Sequence, residues 1–322
     1  RQRQPTGIFS YHAVYDTIED DFQLPNRATG GVILTTGGFG ANEAMVGQYI
    51  GPWAAKLIVR GSPWITGENI LMAQEVQARL VNMDQFYAGP ITPTGHANPS
   101  PLMHAGYGIQ VGTNGKRFVP ETWLQVPKAK AIAQRTPDNR SFMLIGEDAN
   151  ANDNILSATI ERFARLGYHV FKGETIEEVA KAAGVPPDAL VETVRVFNEA
   201  VKAGKAKELD PPYEYETPHA LETGPYYMIP AAGGMASTMG GPKINKFAQV
   251  ENFERRPIPG LYAAGAAAGG LWYQDDIGGN QLGGGMVFGR VAARHAARRA
   301  KEAAARRPPE PPKPPKPPKE PH

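Results

Sequence analysis

Glycine gathers at three joints of this 322-residue chain, at 37–40, 265–270 and 278–285. A residue without a Cβ reaches backbone angles closed to others and lets a neighbouring group touch the main chain. The first joint follows Val32-Ile33-Leu34-Thr35-Thr36. That short β-branched run has no alternation, which suits a strand buried on both faces. The third joint opens directly into a helix that the spacing places from about Asn280 to Arg306, with Leu282, Met286, Val287, Val291 and Ala292 set to pack inward. Glycine-rich joints are also plain turns, and glycine alone leaves that reading open.

The third joint has one electrostatic consequence. A helix N-terminus presents unpaired N–H groups and a partial positive charge. It suits an electron-rich ligand, either a phosphate or the N1/C2-carbonyl edge of a reduced flavin. Composition narrows the alternatives. A hydrophobic fraction of 41% with 20% charged residues belongs to a globular chain. The absence of cysteine excludes disulfides, thiolate nucleophiles, cysteine-held zinc or iron–sulfur clusters, and C-x-x-C-H haem attachment. No run approaches the ~18 apolar residues of a membrane span. Arg1-Gln2-Arg3-Gln4-Pro5 carries no apolar leader core, and a cytoplasmic location is the expectation. The net charge of +2 is uneven, with ten Lys and Arg against three Glu from Arg290 onward. This reads as a solvated basic end and not as a nucleic-acid surface. Nine prolines in 308–322 predict an extended, disordered tail.

Helical stripes fill the middle of the chain. Ile70, Ala73, Val76, Gln77 and Leu80 follow Thr66-Gly67-Glu68, and Ile155, Ile160, Phe163 and Leu166 run to Gly167. Thr175 and Glu178 make a capping box before a stripe that ends at Gly184. Pro186-Pro187-Asp188 opens a longer helix that Gly204 ends. The tract from 84 to 125, rich in Gly, Pro and Asn, predicts loops and small strands.

PIPGLYAAGAAAGG followed by GGNQLGGGMVFGRVAA resembles the C-terminal signature of the fumarate reductase/succinate dehydrogenase flavoprotein superfamily. Its soluble branch includes fumarate and urocanate reductases and 3-ketosteroid Δ1-dehydrogenases. GGVILTTGGF, TGEN, NGKRFVPE, GPYYMI and STMGGPKIN resemble further motifs of that superfamily in the same order. TIEEVAKAAGVPPDALVETVRVFNEAV resembles the helical pair of its capping domain. The resemblance covers most of 30–295. It implies an α/β fold, a partial Rossmann-like FAD-binding domain with an inserted α+β capping domain. The boundaries expected are 1–50 and 219–306 for the FAD-binding domain, 51–218 for the cap and 307–322 for the tail.

What the resemblance implies for chemistry is FAD, hydride transfer at flavin N5, and a substrate held between the two domains. Cofactor contacts carry over to Thr36, Gly37, Gly38, Gly67, Glu68, Gly265, Ala266, Asn280, Gln281 and Leu282. Ala266 stands where the family usually has a glutamate for the ribityl chain. The G-x-G-x-x-G unit of the family does not occur, so a second chain is expected to supply it, making the protein a heteromer. Gln125, Ser237 and Asp276 stand in place of an arginine, a histidine and an arginine. A dicarboxylate loses its partners, and a small neutral carbonyl compound becomes the expected substrate. By analogy with the ketosteroid dehydrogenases, Gly279 would hold the ketone through its N–H. Tyr227, Tyr273, Asp275 and Asp276 are the candidates for moving the proton, since two adjacent carboxylates push one pKa upward. Without a haem motif, a separate electron acceptor or donor is implied. The alternative reading is a non-catalytic or truncated homologue that serves as a partner subunit.

Overall fold

Thirteen residues, Tyr226–Thr238, form the strand around which the chain is organised, here β8. A computed structural model describes residues 28–93, 107–149, 155–273 and 279–306. In chain order the strands are β1 (Val32–Leu34), β2 (Ile58–Val59), β3 (Leu80–Val81), β4 (Phe86–Ile91), β5 (Gly108–Gly112), β6 (Ser141–Ile145), β7 (Phe171–Gly173), β8, β9 (Gly241–Pro242), β10 (Gln249–Glu251) and β11 (Pro257–Ala263). The helices are α1 (Glu43–Tyr49), α2 (Glu68–Glu75), α3 (Gln125–Arg135), α4 (Ile155–Arg165), α5 (Ile176–Ala183), α6 (Pro187–Lys202) and α7 (Asn280–Ala305). Among the described residues no helix is long and apolar enough to cross a membrane.

The two ends of β8 belong to different neighbourhoods. Its first half pairs with β6 on one edge and β7 on the other, Tyr227 lying opposite both Ile145 and Lys172. Its second half pairs instead with β2, in parallel, and with β4, antiparallel. Asn139 stabilises the changeover. Its side-chain amide donates to the carbonyl oxygens of Gly233 and Lys56, each at 2.9 Å, and its oxygen accepts the Gly233 N–H at 2.8 Å. Gly233 leaves no room for a side chain, because a Cβ there would lie 2.6 Å from the Ala129 carbonyl oxygen.

A second, three-stranded sheet runs β1-β11-β10, with β1 parallel to β11 and Leu34 opposite Ala263. Leu34 is buried, while Val32 and Ile33 are half-buried. Helix α7 crosses this sheet with Phe288, Val291, Ala292 and Ala296 inward. Leu282, Met286 and Val287, expected to pack inward, are instead 76%, 76% and 57% exposed. At 100° per residue, the face carrying Gly285, Phe288, Ala292 and Ala296 turns these three away. Helix α2 also stops earlier than its apolar stripe suggests. Gln77 adopts a left-handed φ of 57°, and Leu80 belongs to β3.

Leu166, expected on the stripe before Gly167, is exposed just beyond α4, whereas the expectations for the next two helices hold. Thr175 accepts the Glu178 N–H and caps α5, which ends at left-handed Gly184. Both α5 and α6 cover the β5-β6 face through Val179, Leu190, Val194 and Phe197. The NGKRFVPE motif acts here as a clamp. Arg117 and Glu121, each 6% exposed, form a two-pronged pair at 2.6 and 2.9 Å. Glu121 also accepts the Gln110 N–H, and Arg117 donates to the Pro211 carbonyl. Lys128 on α3 is buried close by. Burial lowers its ammonium to about 8, against an opposing pull from Glu121.

A lysine in the unfolded chain keeps its proton to about pH 10.4. From pH 8 up to that value the unfolded chain binds a proton that folded Lys128 has released. Folding therefore gains stability as pH rises through this window. Below pH 8 the buried charge weighs against the fold in full. Lys128→Met removes the effect. Its stability advantage over the parent at pH 7 should shrink by about 3 kcal/mol by pH 10.5. Denaturant unfolding at both pH values measures this, and an advantage that does not change with pH contradicts it.

Candidate functional site

The three glycine joints meet at one cavity of about 390 Å³, to which Gly37, Gly38, Ala266 and Gln281 contribute. Each joint is packed closely against another part of the chain. After β1 the chain turns at Gly37, with φ of 87°, and Ile65 packs over it. A Cβ on Gly38 would lie 2.1 Å from Thr238 Oγ1, and that hydroxyl accepts the Phe39 N–H at 3.0 Å. The first joint is thereby fixed to the end of β8. Gly265, with φ of 65°, starts a 3-10 turn after β11, and a Cβ on it would sit 3.4 Å from the Gly285 Cα. The second joint is thus pressed against the third.

The remaining wall comes from the sheet. Arg60 directly follows β2, and its N–H donates to the Met235 carbonyl at 2.7 Å. Tyr87 on β4 lies opposite Ser237 on β8. Arg60 and Tyr87 therefore flank Ala236 and Ser237 from the two edges of β8, about 10 Å apart at two strand spacings. All four residues line the cavity. The Tyr87 hydroxyl donates to Gln125 Oε1 at 3.2 Å, and the Gln125 side chain lies against Gly89.

Polar atoms here are buried without partners. Thr36 Oγ1, Arg60 Nη1, Ser237 Oγ and both ends of the Gln281 amide have none among the described residues. Glu68 accepts from Thr66 Oγ1 with one oxygen and leaves the other, Oε2, unpaired. Asn69 donates to the Ala267 carbonyl at 2.9 Å. Each unpaired buried group costs about 1–3 kcal/mol, so a concentration of them marks surface shaped for a ligand.

The expected site residues distribute unevenly around this cavity. Gly37, Gly38, Ala266 and Gln281 line it. Gly67 and Glu68 stand at the start of α2, where a Cβ on Gly67 would lie 2.4 Å from Met45 Sδ. Gly279 precedes the first turn of α7 and is exposed, Asn280 opens the helix, and Leu282 faces outward. Tyr227 is ten residues from Ser237 along β8, a separation of about 33 Å. It packs against the Met143-Phe163 cluster, where burial and Glu147 raise its phenol pKa. Tyr273 sits at the rim of a different cavity of about 710 Å³ with Trp53 and Trp123. Asp275 and Asp276 lie outside the described residues.

Arg60 and Tyr87 were not among the residues singled out from sequence. Tyr87 sits in a tract rich in loop-forming residues, and its partner Gln125 is 38 positions away. Arg60 carried a readable signal. Leu57-Ile58-Val59 is a short apolar run that ends near Gly61, the same pattern that marked Val32–Leu34.

Residues 14–282 match the family described as FAD binding domain. A urocanate reductase of Eggerthella lenta is 32% identical over 291 residues, covering 84% of this chain and 46% of the relative. The structure of an open conformation of a flavocytochrome c3 fumarate reductase superposes with a TM-score of 0.70 at 28% identity, over 84% of this chain and 46% of that one. A 3-ketosteroid delta1-dehydrogenase from Sterolibacterium denitrificans, in complex with 1,4-androstadiene-3,17-dione, gives 0.64 at 26% identity, over 86% and 54%. The chain spans about half the length of the curated relatives it matches.

The cavity fits FAD. The unpaired Thr36 hydroxyl and Gln281 amide suit the edge of a polar ring, and the glycine joints let that ring approach the main chain. Gln281→Leu tests this fit through two opposite effects. Removing a buried, unsatisfied amide should stabilise the cofactor-free protein by about 1 kcal/mol. The same change should weaken FAD binding at least tenfold. Thermal unfolding and flavin titration read the two effects, and unaltered FAD affinity contradicts the assignment.

Proposed function

Because the chain belongs to the FAD binding domain family, we propose that it is the substrate-bearing part of an FAD-dependent oxidoreductase acting on a carbon–carbon bond next to a carbonyl. The observation that carries this reading is the cavity itself, where three glycine joints meet Arg60, Tyr87 and Ser237 and where Arg60, Ser237 and Gln281 bury four unpaired polar atoms. FAD, when bound, accepts or donates hydride at N5.

Within this reading Thr36, Gly37, Gly38, Gly265, Ala266 and Gln281 hold the cofactor, joined by Gly67, Glu68, Asn280 and the main chain at Leu282. The first turn of α7 after Gly279 adds its free N–H groups. Tyr87 is the proton-moving group in preference to Tyr227, because it lines the cavity and its hydroxyl is oriented by Gln125. Gln125 and Ser237 are uncharged where the resemblance calls for an arginine and a histidine, which favours a neutral carbonyl compound over a dicarboxylate. In this reading residues 51–218 form the cap that closes over the substrate. A separate carrier exchanges electrons with the cofactor.

A second chain contributing the dinucleotide unit is part of the same proposal. It is supported by two surfaces. Among the described residues β1 pairs only with β11, which leaves its other edge free. Leu282, Met286 and Val287 present exposed apolar surface on α7 nearby.

The test is anaerobic. The protein, loaded with FAD and reduced with dithionite, is mixed with cyclohex-2-enone or with fumarate, and flavin absorbance is followed. Reoxidation by the enone that outpaces reoxidation by fumarate is the expected result. Failure to take up FAD when the chain that carries the dinucleotide unit is present, or equal or faster reoxidation by fumarate, overturns the proposal.

A further inference from the structure

Arg60 is a half-buried cation in the cavity wall, and among the described residues it has no counter-charge. Its Nη1 is enclosed and unpartnered. Among the described residues no ion pair involves it, although exposed arginines such as Arg195 and Arg298 find glutamates. Taking a guanidinium out of water is expensive unless something returns the lost hydrogen bonds. Its position is also fixed. The Arg60 N–H is held by Met235, and Gly61 runs so close to β8 that a Cβ there would lie 2.5 Å from the Ala236 carbonyl oxygen. Two strand spacings away, Tyr87 lines the same cavity.

Resting on the oxidoreductase reading above, we propose that Arg60 is the residue that binds the carbonyl oxygen of the substrate and stabilises the enolate formed there. When hydride arrives at the carbon β to the carbonyl, its electron pair forms the new C–H bond. The C=C pair shifts toward the carbonyl, whose oxygen becomes anionic. A proton from the Tyr87 side then closes the α-carbon, and solvent restores that proton. The electron pair comes from the reduced cofactor, which the separate carrier reduces again. The only charge that builds up on the substrate is on that oxygen. A fixed N–H donor placed where such an anion forms is typically worth 10²–10³ in rate. One guanidinium, with Gln125 and Ser237 uncharged, suits a single oxygen and not two carboxylates. Arg60 thereby also sets the substrate class, a neutral enone that becomes anionic only during turnover.

The test uses the FAD-loaded protein and a phenol as enolate mimic. Bound 4-nitrophenol should ionise at least one pH unit below its value in water, read from its phenolate absorbance. Arg60→Met should abolish that shift, and Arg60→Lys should recover part of it. With cyclohex-2-enone, Arg60→Met should lower kcat about a hundredfold and raise KM only a few-fold. FAD affinity should stay within twofold of the parent. A 4-nitrophenol shift retained in Arg60→Met overturns the proposal, as does a parent that produces no shift. Loss of FAD binding in Arg60→Met overturns it as well, since the arginine then serves the cofactor. A parent that takes up no FAD even with the dinucleotide-binding chain present overturns the oxidoreductase reading itself. A parent that takes up FAD and reduces the enone, with the variant equal to it, overturns only the role of Arg60.

Discussion

The close contact between Gly38 and Thr238 is the constraint on which the rest depends. It joins the turn after β1 to the last residue of β8, 200 positions away, and the Phe39 N–H locks the contact by donating to the same hydroxyl. Because β8 also carries β2 and β4, this one junction sets Arg60 and Tyr87 beside Gly37. Asn139 performs the matching task at the middle of β8, where the strand exchanges one set of partners for another. The glycines at these points are required by contacts within the protein. Gly38 and Gly265 admit Thr238 and Gly285.

Around the cavity the chain gives up hydrogen bonds that it satisfies elsewhere. Arg117 and Glu121, equally buried, are fully paired to one another and to the main chain. Arg60, Ser237 and Gln281 are not. The contrast separates a polar network that holds the fold from a polar surface that awaits a ligand. It also separates the two kinds of motif recognised in the sequence. NGKRFVPE is conspicuous and structural, whereas the arginine after Leu57-Ile58-Val59 is inconspicuous and lies in the cavity wall.

Local chemistry was the most legible part of the sequence. The cap at Thr175, the stop at Gly184 and the opening of α7 at Asn280 depend on a few neighbouring residues, and the structure places them as expected. The orientation of a long helix was less legible. Leu282, Met286 and Val287 are apolar yet exposed, because the face of α7 that packs on the sheet is the one carrying Phe288, Ala292 and Ala296. The tyrosine that lines the cavity was least legible of all. Tyr226-Tyr227 drew notice as an aromatic pair in a recognised motif, but β8 carries Tyr227 away from the cavity. Tyr87 is brought there by pairing with a strand 150 residues later, and no local pattern reports such a pairing.

The central claim is that the three glycine joints enclose one flavin ring, with the start of α7 at its edge. An experimental structure of the protein with FAD bound tests it most directly. The account requires the isoalloxazine ring between Gly37-Gly38, Ala266 and Gln281, with Arg60 and Tyr87 facing its open side. A ring bound elsewhere, or side chains from this protein occupying that space in the FAD complex, contradicts it.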